Sequence, residues 1–319
     1  MRAFIFPGQG SQTVGMGKAL ADASVHAREV LQQVDDALGQ SLSRLMAEGP
    51  ADELTLTENA QPAIMANAIA TLRVLEREGG VRLADRCDYV AGHSLGEYTA
   101  LCATDAFDLP TTARLLRTRG QAMQEAVPVG EGAMAALLGA DVETARAIAG
   151  AAVDAILAEG GPELVCTVAN DNDPTQVVIS GHRDAIERAV PLAKELGARR
   201  AVLLPVSAPF HCPLMQPAAD VMENALLDAD LRAPLKPVYA NVDAAPVTTP
   251  GQIRVALVQQ VTGMVRWRES VLAMAAAGVT EFVEFGGKVL GPMVKRIAPD
   301  ATVTSVVTFD DIEALAKAL

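Results

Sequence analysis

Gly92-His93-Ser94-Leu95-Gly96-Glu97-Tyr98 follows the apolar approach Tyr89-Val90-Ala91 and opens into Thr99-Ala100-Leu101-Cys102-Ala103. A strand, a Gly-x-Ser-x-Gly turn and a helix in that order form the nucleophile-elbow pattern of an α/β protein. The serine of such a turn sits on strained backbone, and glycines two before and two after it let neighbouring backbone pass. The turn lifts the hydroxyl above the sheet edge, and the next helix aims its first amide N–H groups at an oxyanion. The competing reading of the pentapeptide is a plain strand–helix turn; its place between strand and helix favours Ser94 as a nucleophile.

Composition narrows the field. With 319 residues, half of them hydrophobic, the chain can build one large domain or a large and a small one. Aromatics are only 3%, so the core is aliphatic and offers no base-stacking surface. A net charge of −13 argues against nonspecific binding to nucleic acid. After Met1-Arg2 the apolar run is only Ala3-Phe4-Ile5-Phe6 before Pro7, too short for a secretory leader, and no stretch is long enough to span a bilayer. The cysteines (Cys87, Cys102, Cys166, Cys212) lack CxxC spacing and read as core thiols. A cytoplasmic protein without metal or redox cofactor is expected.

Working outward, Phe4-Ile5-Phe6 reads as a short buried strand ended by Pro7-Gly8-Gln9-Gly10-Ser11-Gln12. This loop lacks the third glycine and the downstream acid of a dinucleotide fingerprint. It reads equally as a tight β–α turn or as a loop whose N–H groups face a reacting carbonyl. Amphipathic helices are expected at about 25–39 and 62–78. Another opens near Pro110 and runs to about Ala126, and its apolar stripe Leu115, Leu116, Met123 carries Arg119. Arg114 and Arg117 fall off that stripe and read as solvated. A buried arginine needs an anionic partner: an internal Asp or Glu, the commoner case, or a ligand carboxylate.

Residues 131–204 change character. Strand 133–138, helix 141–158, strands 164–169 and 176–180, helix 183–196 and strand 200–204 follow the β-α-β-β-α-β order of the ferredoxin-like split unit. The segment reads as a small domain inserted into a larger α/β domain formed by 1–130 and 205–319. Asn170-Asp171-Asn172-Asp173-Pro174 reads as the turn between its middle strands, with the cleft between domains as its other possible outlook.

A nucleophilic serine needs a base, and the chain has four histidines. His93 adjoins Ser94, where side chains diverge; His26 lies in a polar helix start and His182 in a turn. His211 stands in the rigid loop Pro209-Phe210-His211-Cys212-Pro213 and is the best candidate. Downstream, Ile253, Leu257 and Val261 place Gln260 beside a buried stripe, where it either orients the histidine region or satisfies backbone. Lys288, Lys295, Arg296, Arg266 and Arg268 read as scattered solvated charges or as a local basic rim.

Along essentially the whole chain these motifs resemble the malonyl-CoA:acyl-carrier-protein transacylase family. The matching pieces are Phe6-Pro7-Gly8-Gln9-Gly10-Ser11-Gln12, Gly92 to Tyr98, Arg119-Gly120 with Met123-Gln124-Glu125-Ala126-Val127-Pro128, Gly132-Ala133-Met134-Ala135-Ala136, Gln176-Val177-Val178-Ile179-Ser180-Gly181, Pro209-Phe210-His211-Cys212 and Lys288-Val289-Leu290. The resemblance implies an α/β-hydrolase-like core with a parallel sheet and a ferredoxin-like insert. It implies Ser94 as the acylated nucleophile, His211 as its base and Arg119 as the partner of the malonyl carboxylate. Gln260 would position the histidine, a backbone carbonyl would replace the triad acid, and the N–H groups of Gln9 and Leu95 would form the oxyanion hole. Malonyl-CoA and acyl carrier protein are the implied partners. Two departures stand out: Gly286-Gly287 where the family often has Gly-Pro-Gly, and Phe210 where it often has Ser. Related polyketide acyltransferases that choose malonyl tend to have Phe there. Competing readings are the malonyl-transfer subunit of malonate decarboxylase, a serine esterase or thioesterase, and a noncatalytic carrier-binding module.

Overall fold

A computed structural model describes residues Met1–Leu319. Its ten strands are β1 (Arg2–Phe6), β2 (Tyr89–Gly92), β3 (Gly132–Leu138), β4 (Cys166–Asp173), β5 (Gln176–His182), β6 (Arg200–Leu203), β7 (Val238–Ala240), β8 (Ala245–Val247), β9 (Glu281–Phe285) and β10 (Thr302–Val306). Six form a sheet of order β10-β9-β1-β2-β7-β8, parallel except for β8, which pairs antiparallel with β7 at the edge. The other four form an antiparallel sheet of order β4-β5-β3-β6. The protein is thus mixed α/β.

Period-two alternation explains why the parallel sheet is buried on both faces. Phe4, Phe6, Val90, Val283 and Phe285 point to one side, where the helices Thr57–Arg77 and Leu95–Ala103 cover them. Ala3, Ile5, Ala91 and Phe282 point to the other, under Trp267, Val271, Met274 and Val294. The antiparallel sheet works the same way. Ala135, Leu137, Val177 and Ile179 meet the Ala-rich stripes of the helices Val142–Ala158 and Arg183–Glu195, while Met134, Ala136 and Val178 join the main core.

Three expectations need correction. The run from Asn170 to Asp173 is not a turn: β4 continues through it, and all four side chains are buried. Three of these polar side chains tolerate that burial because each meets a partner from the parallel-sheet side, whereas Asn170 lines a cavity. The Asp171 carboxylate lies 2.8 Å from Arg268 and that of Asp173 2.7 Å from Arg296. The main chain around Asn170 bridges to Val265, and the Asn172 side chain meets His93. Irregular register beside Val168/Asn170 and Asp171/Asp173 re-aims these side chains. Secondly, the helix expected from 62 begins at Thr57, with Pro62 inside it. Thirdly, Arg117 is half-buried rather than solvated, and it donates to the Gln40 side-chain oxygen. Of the five basic residues, four are engaged within the fold: Arg268 and Arg296 as above, Arg266 with Glu269, and Lys295 with the Ala301 carbonyl; Lys288 is exposed.

Candidate active site

Chain entry into the site is governed by close backbone packing. A Cβ on Gly92 would stand 1.9 Å from the Gly96 carbonyl oxygen, and one on Gly96 would stand 2.3 Å from that of Phe6. Only glycine fits either place, so β2 turns sharply over the end of β1 into the helix Leu95–Ala103. Ser94 takes the strain, with φ +53°. Its own N–H is already used, donated to Asn241 Oδ1 at 2.7 Å. Asn241 Nδ2 reaches back to the Gly92 carbonyl at 2.7 Å, so one side chain just after β7 pins both ends of the turn.

Ser94 Oγ lies 2.8 Å from His211 Nε2. His211 Nδ1 lies 2.8 Å from the main-chain carbonyl of Gln260, on the helix Pro250–Thr262. A carbonyl only accepts, so Nδ1 carries the proton and Nε2 is left to accept from the serine hydroxyl. His211 is buried, with φ +58° in the proline-bracketed loop. Burial first, and the Arg119 cation second, pull its pKa down to about 3, so the imidazole is a neutral base.

Arg119 lies on the helix Leu109–Glu125 and is only 1% exposed. Its Nη1 donates to Gln61 Oε1 at 2.7 Å, and Nη2 donates to Gln260 Oε1 at 2.8 Å and to Ser94 Oγ at 3.1 Å. The guanidinium carbon is 5.6 Å from the centre of the Tyr98 ring, within cation–π range. No Asp or Glu oxygen comes within 4.0 Å, and Nε has no acceptor. The cation therefore sits among amide oxygens and an aromatic face, with no resident carboxylate paired to it. Gly120 makes this possible. A Cβ there would stand 2.5 Å from Glu58 Cα, so the two helices touch backbone to backbone and Gln61 reaches the arginine.

The sequence model of the acyl transferase domain matches residues 3–287. The chain belongs to that acyl transferase family. It is 44% identical over 318 residues to the malonyl CoA-acyl carrier protein transacylase of Escherichia coli (strain K12), covering 99% of this chain and 98% of the relative. Against the protein of the same name from Bacillus subtilis (strain 168) identity is 44% over 296 residues, or 92% and 90% of the two chains. Among solved structures, the acyl-carrier-protein-S-malonyltransferase of Bartonella henselae superposes with a TM-score of 0.94 at 52% identity, covering 99% and 98%. A malonyl-transacylase solved in complex with a type II PKS acyl-carrier protein superposes at 0.93 with 37% identity, covering 100% and 99%.

In this acyl transferase a cavity of about 310 Å³ opens onto Ser94, His211 and Arg119 between the two sheets. Gln9 and Leu95, the pair whose N–H groups the resemblance implies for an oxyanion hole, line it, and so do Phe210, Met123 and Met134. Leu95 begins its helix, where a main-chain N–H has no acceptor within the helix. Gly286-Gly287 does not line the cavity; Gly286 packs against Ala68, and Asn67 Nδ2 donates to its carbonyl at 2.9 Å. Gln260 plays two parts at once, carbonyl to the histidine and amide to the arginine. Sequence reasoning does not find Gln61, Asn241, Glu97 or Asn172. Glu97 sits inside the quoted motif, and its acidity in an otherwise apolar helix is the signal that was available.

Proposed function

We propose that this acyl transferase moves a malonyl group from malonyl-CoA to the phosphopantetheine thiol of an acyl carrier protein, by a ping-pong route through malonyl-Ser94. The carrying observation is the buried Arg119 guanidinium, unpaired with any resident carboxylate, 3.1 Å from the Ser94 hydroxyl. A neutral acyl group gives such a cation nothing to bind; the free carboxylate of malonyl gives it a partner.

Malonyl-CoA enters with its carboxylate on the Arg119 fork. Ser94 Oγ attacks the thioester carbon as His211 Nε2 takes the hydroxyl proton. The oxyanion is held by the main-chain N–H groups of Gln9 and Leu95. The carbon–sulfur bond breaks, and the CoA sulfur leaves with the proton from His211. The phosphopantetheine thiol then gives its proton to His211 and attacks the malonyl ester, and Ser94 recovers its hydrogen as the ester bond breaks. Acyl exchange between thioesters changes no oxidation state, so the reading includes no redox cofactor. Phe210 in the cavity wall fills space that a branched acyl group would need.

In the same reading, 1–130 and 205–319 form an α/β-hydrolase-like catalytic domain and 131–204 a ferredoxin-like insert, in a cytoplasmic enzyme. No helix is long and apolar enough to cross a membrane. The relatives above are named for malonyl transfer, which favours this reading over malonate decarboxylation, ester hydrolysis or noncatalytic carrier binding. The test is mass spectrometry after mixing the protein with malonyl-CoA and acetyl-CoA in competition. A malonyl adduct on the peptide containing Ser94 is expected; a dominant acetyl adduct, or none, overturns it.

A further inference from the structure

Glu97 stands in the first turn of the helix that follows Ser94, and it is 1% exposed. One of its oxygens, Oε2, accepts from the Asn241 main-chain N–H at 2.9 Å and from Gln260 Nε2 at 2.7 Å. A side-chain amide has a donor end and an acceptor end, and its direction is set by its neighbours. Here the nitrogen of Gln260 is held by Glu97 and by the Ser94 carbonyl at 3.1 Å. Its oxygen is thereby turned onto Arg119 Nη2. Turning the amide round would set N–H against guanidinium N–H and oxygen against the Glu97 oxygen. Both contacts would be repulsive in a site closed to water, where little screens them.

We propose that Glu97 is a positioning residue for acyl selection, whose Oε2 directs the Gln260 amide so that Arg119 is aimed at the carboxylate of the entering acyl group. This rests on the malonyl-transfer reading. The helix packing divides the labour. His211 is held by the main-chain carbonyl of Gln260, which does not depend on the amide's direction, whereas Arg119 is held by the side chain, which does. Loss of the Glu97 acceptor therefore weakens carboxylate recognition more than it weakens the serine–histidine chemistry. The task asks only for an acceptor oxygen at that point, so a glutamine carbonyl also serves.

The experiment measures kcat and KM for malonyl-CoA and acetyl-CoA in the full-length protein, with folding checked by circular dichroism. Glu97→Met, similar in length but without an acceptor, should lower the malonyl-to-acetyl ratio of kcat/KM roughly tenfold or more, mainly through KM for malonyl-CoA. Glu97→Gln should keep the ratio within a few-fold of wild type. Gln260→Met keeps the main-chain carbonyl and removes the amide, so it should lower the malonyl-to-acetyl ratio by a similar factor, a result that can be read even if Glu97→Met does not fold. An unchanged ratio in Gln260→Met or in folded Glu97→Met overturns the proposal, as does Glu97→Gln falling as far as Glu97→Met. If wild type itself shows no preference for malonyl, the malonyl-transfer reading fails; a preference that the variants leave untouched sinks only the role of Glu97.

Discussion

His211 Nδ1 donates to the main-chain carbonyl of Gln260 at 2.8 Å, so the base is oriented by a group that no side-chain substitution removes. A neutral carbonyl fixes the tautomer as a carboxylate would, but it brings no negative charge to stabilise an imidazolium. That stabilisation has to come from elsewhere, and the Arg119 cation nearby works against it. In the proposed route the imidazole therefore takes the serine proton only as bond formation at the acyl carbon drives the transfer.

The first prediction concerns that pair. Ser94→Ala should abolish the covalent adduct seen by mass spectrometry after incubation with malonyl-CoA. His211→Ala should lower single-turnover acylation by on the order of 10³-fold or more, with KM changed far less. Wild-type acylation in His211→Ala would remove it from the mechanism.

Arg119→Ala should cost malonyl-CoA on the order of 2–5 kcal/mol in kcat/KM, because the acyl carboxylate is then buried without a partner. Acetyl transfer should fall much less, so the malonyl-to-acetyl ratio is the measurement that checks the role. Arg119→Lys should recover only part of the loss, since a point charge cannot give two parallel donors to a carboxylate while also meeting Gln61 and Gln260.

Two buried groups make the pH dependence distinctive. Burial pushes the Glu97 carboxyl up to about 7, against 4.5 for an ordinary glutamate, although Asn241, Gln260 and Arg119 pull the other way. With the folded value above the unfolded one, the unfolded chain loses this proton first as pH rises. Stability from this group is complete below 4.5 and is lost as pH climbs through about 7. Glu97→Gln does not titrate, so its stability relative to wild type should rise over that window and then level off, by on the order of 3 kcal/mol at most. His211 runs the opposite way. Held at about 3 against 6.5, it contributes stability above 6.5 that declines as pH falls toward 3. The free base therefore persists well below neutrality, and pre-steady-state acylation of Ser94 should show no acid limb from His211 near pH 6. Urea titrations across pH check the first statement and rapid-quench kinetics the second.

The parts of the site that were legible in the sequence are those written in local pattern. Ser94 announces itself through two glycines whose absence of side chains is a steric requirement, and Arg119 through helical spacing that puts a charge on an apolar stripe. His211 is found by elimination among four histidines and by the prolines around it. What pattern does not carry is partnership across the chain. Gln61 is 58 residues from Arg119, and Asn241 is 147 from Ser94. An amide reads as polar in either direction, and only the assembled neighbours say which end faces which group. The fold shows the same limit. The unbroken apolar runs of β1 and β3 foretell two-faced burial, yet Asn170 to Asp173 has the composition of a turn. It can be buried strand because Arg268 and Arg296 arrive from two separate helices, 97 and 123 residues later.

Those two arginines carry the last prediction. Asp171 and Asp173 are fully buried on β4, while their partners Arg268 and Arg296 remain partly open to water. Removing an arginine leaves a carboxylate stranded in a dry seam between the sheets, whereas removing the aspartate leaves a cation that can turn outward. Arg268→Ala should therefore destabilise more than Asp171→Asn, by a margin of about 1–3 kcal/mol once screening of the exposed end is allowed for. The seam also carries the Asn172–His93 contact at 2.8 Å, next to Ser94. Loosening it should thus lower turnover with both acyl donors alike and leave the malonyl-to-acetyl ratio near wild type. Chemical denaturation together with the two-donor kinetic assay separates this outcome from loss of carboxylate recognition. A selective loss of malonyl transfer in Arg268→Ala would mean that the seam governs the cavity's chemistry and not only its shape.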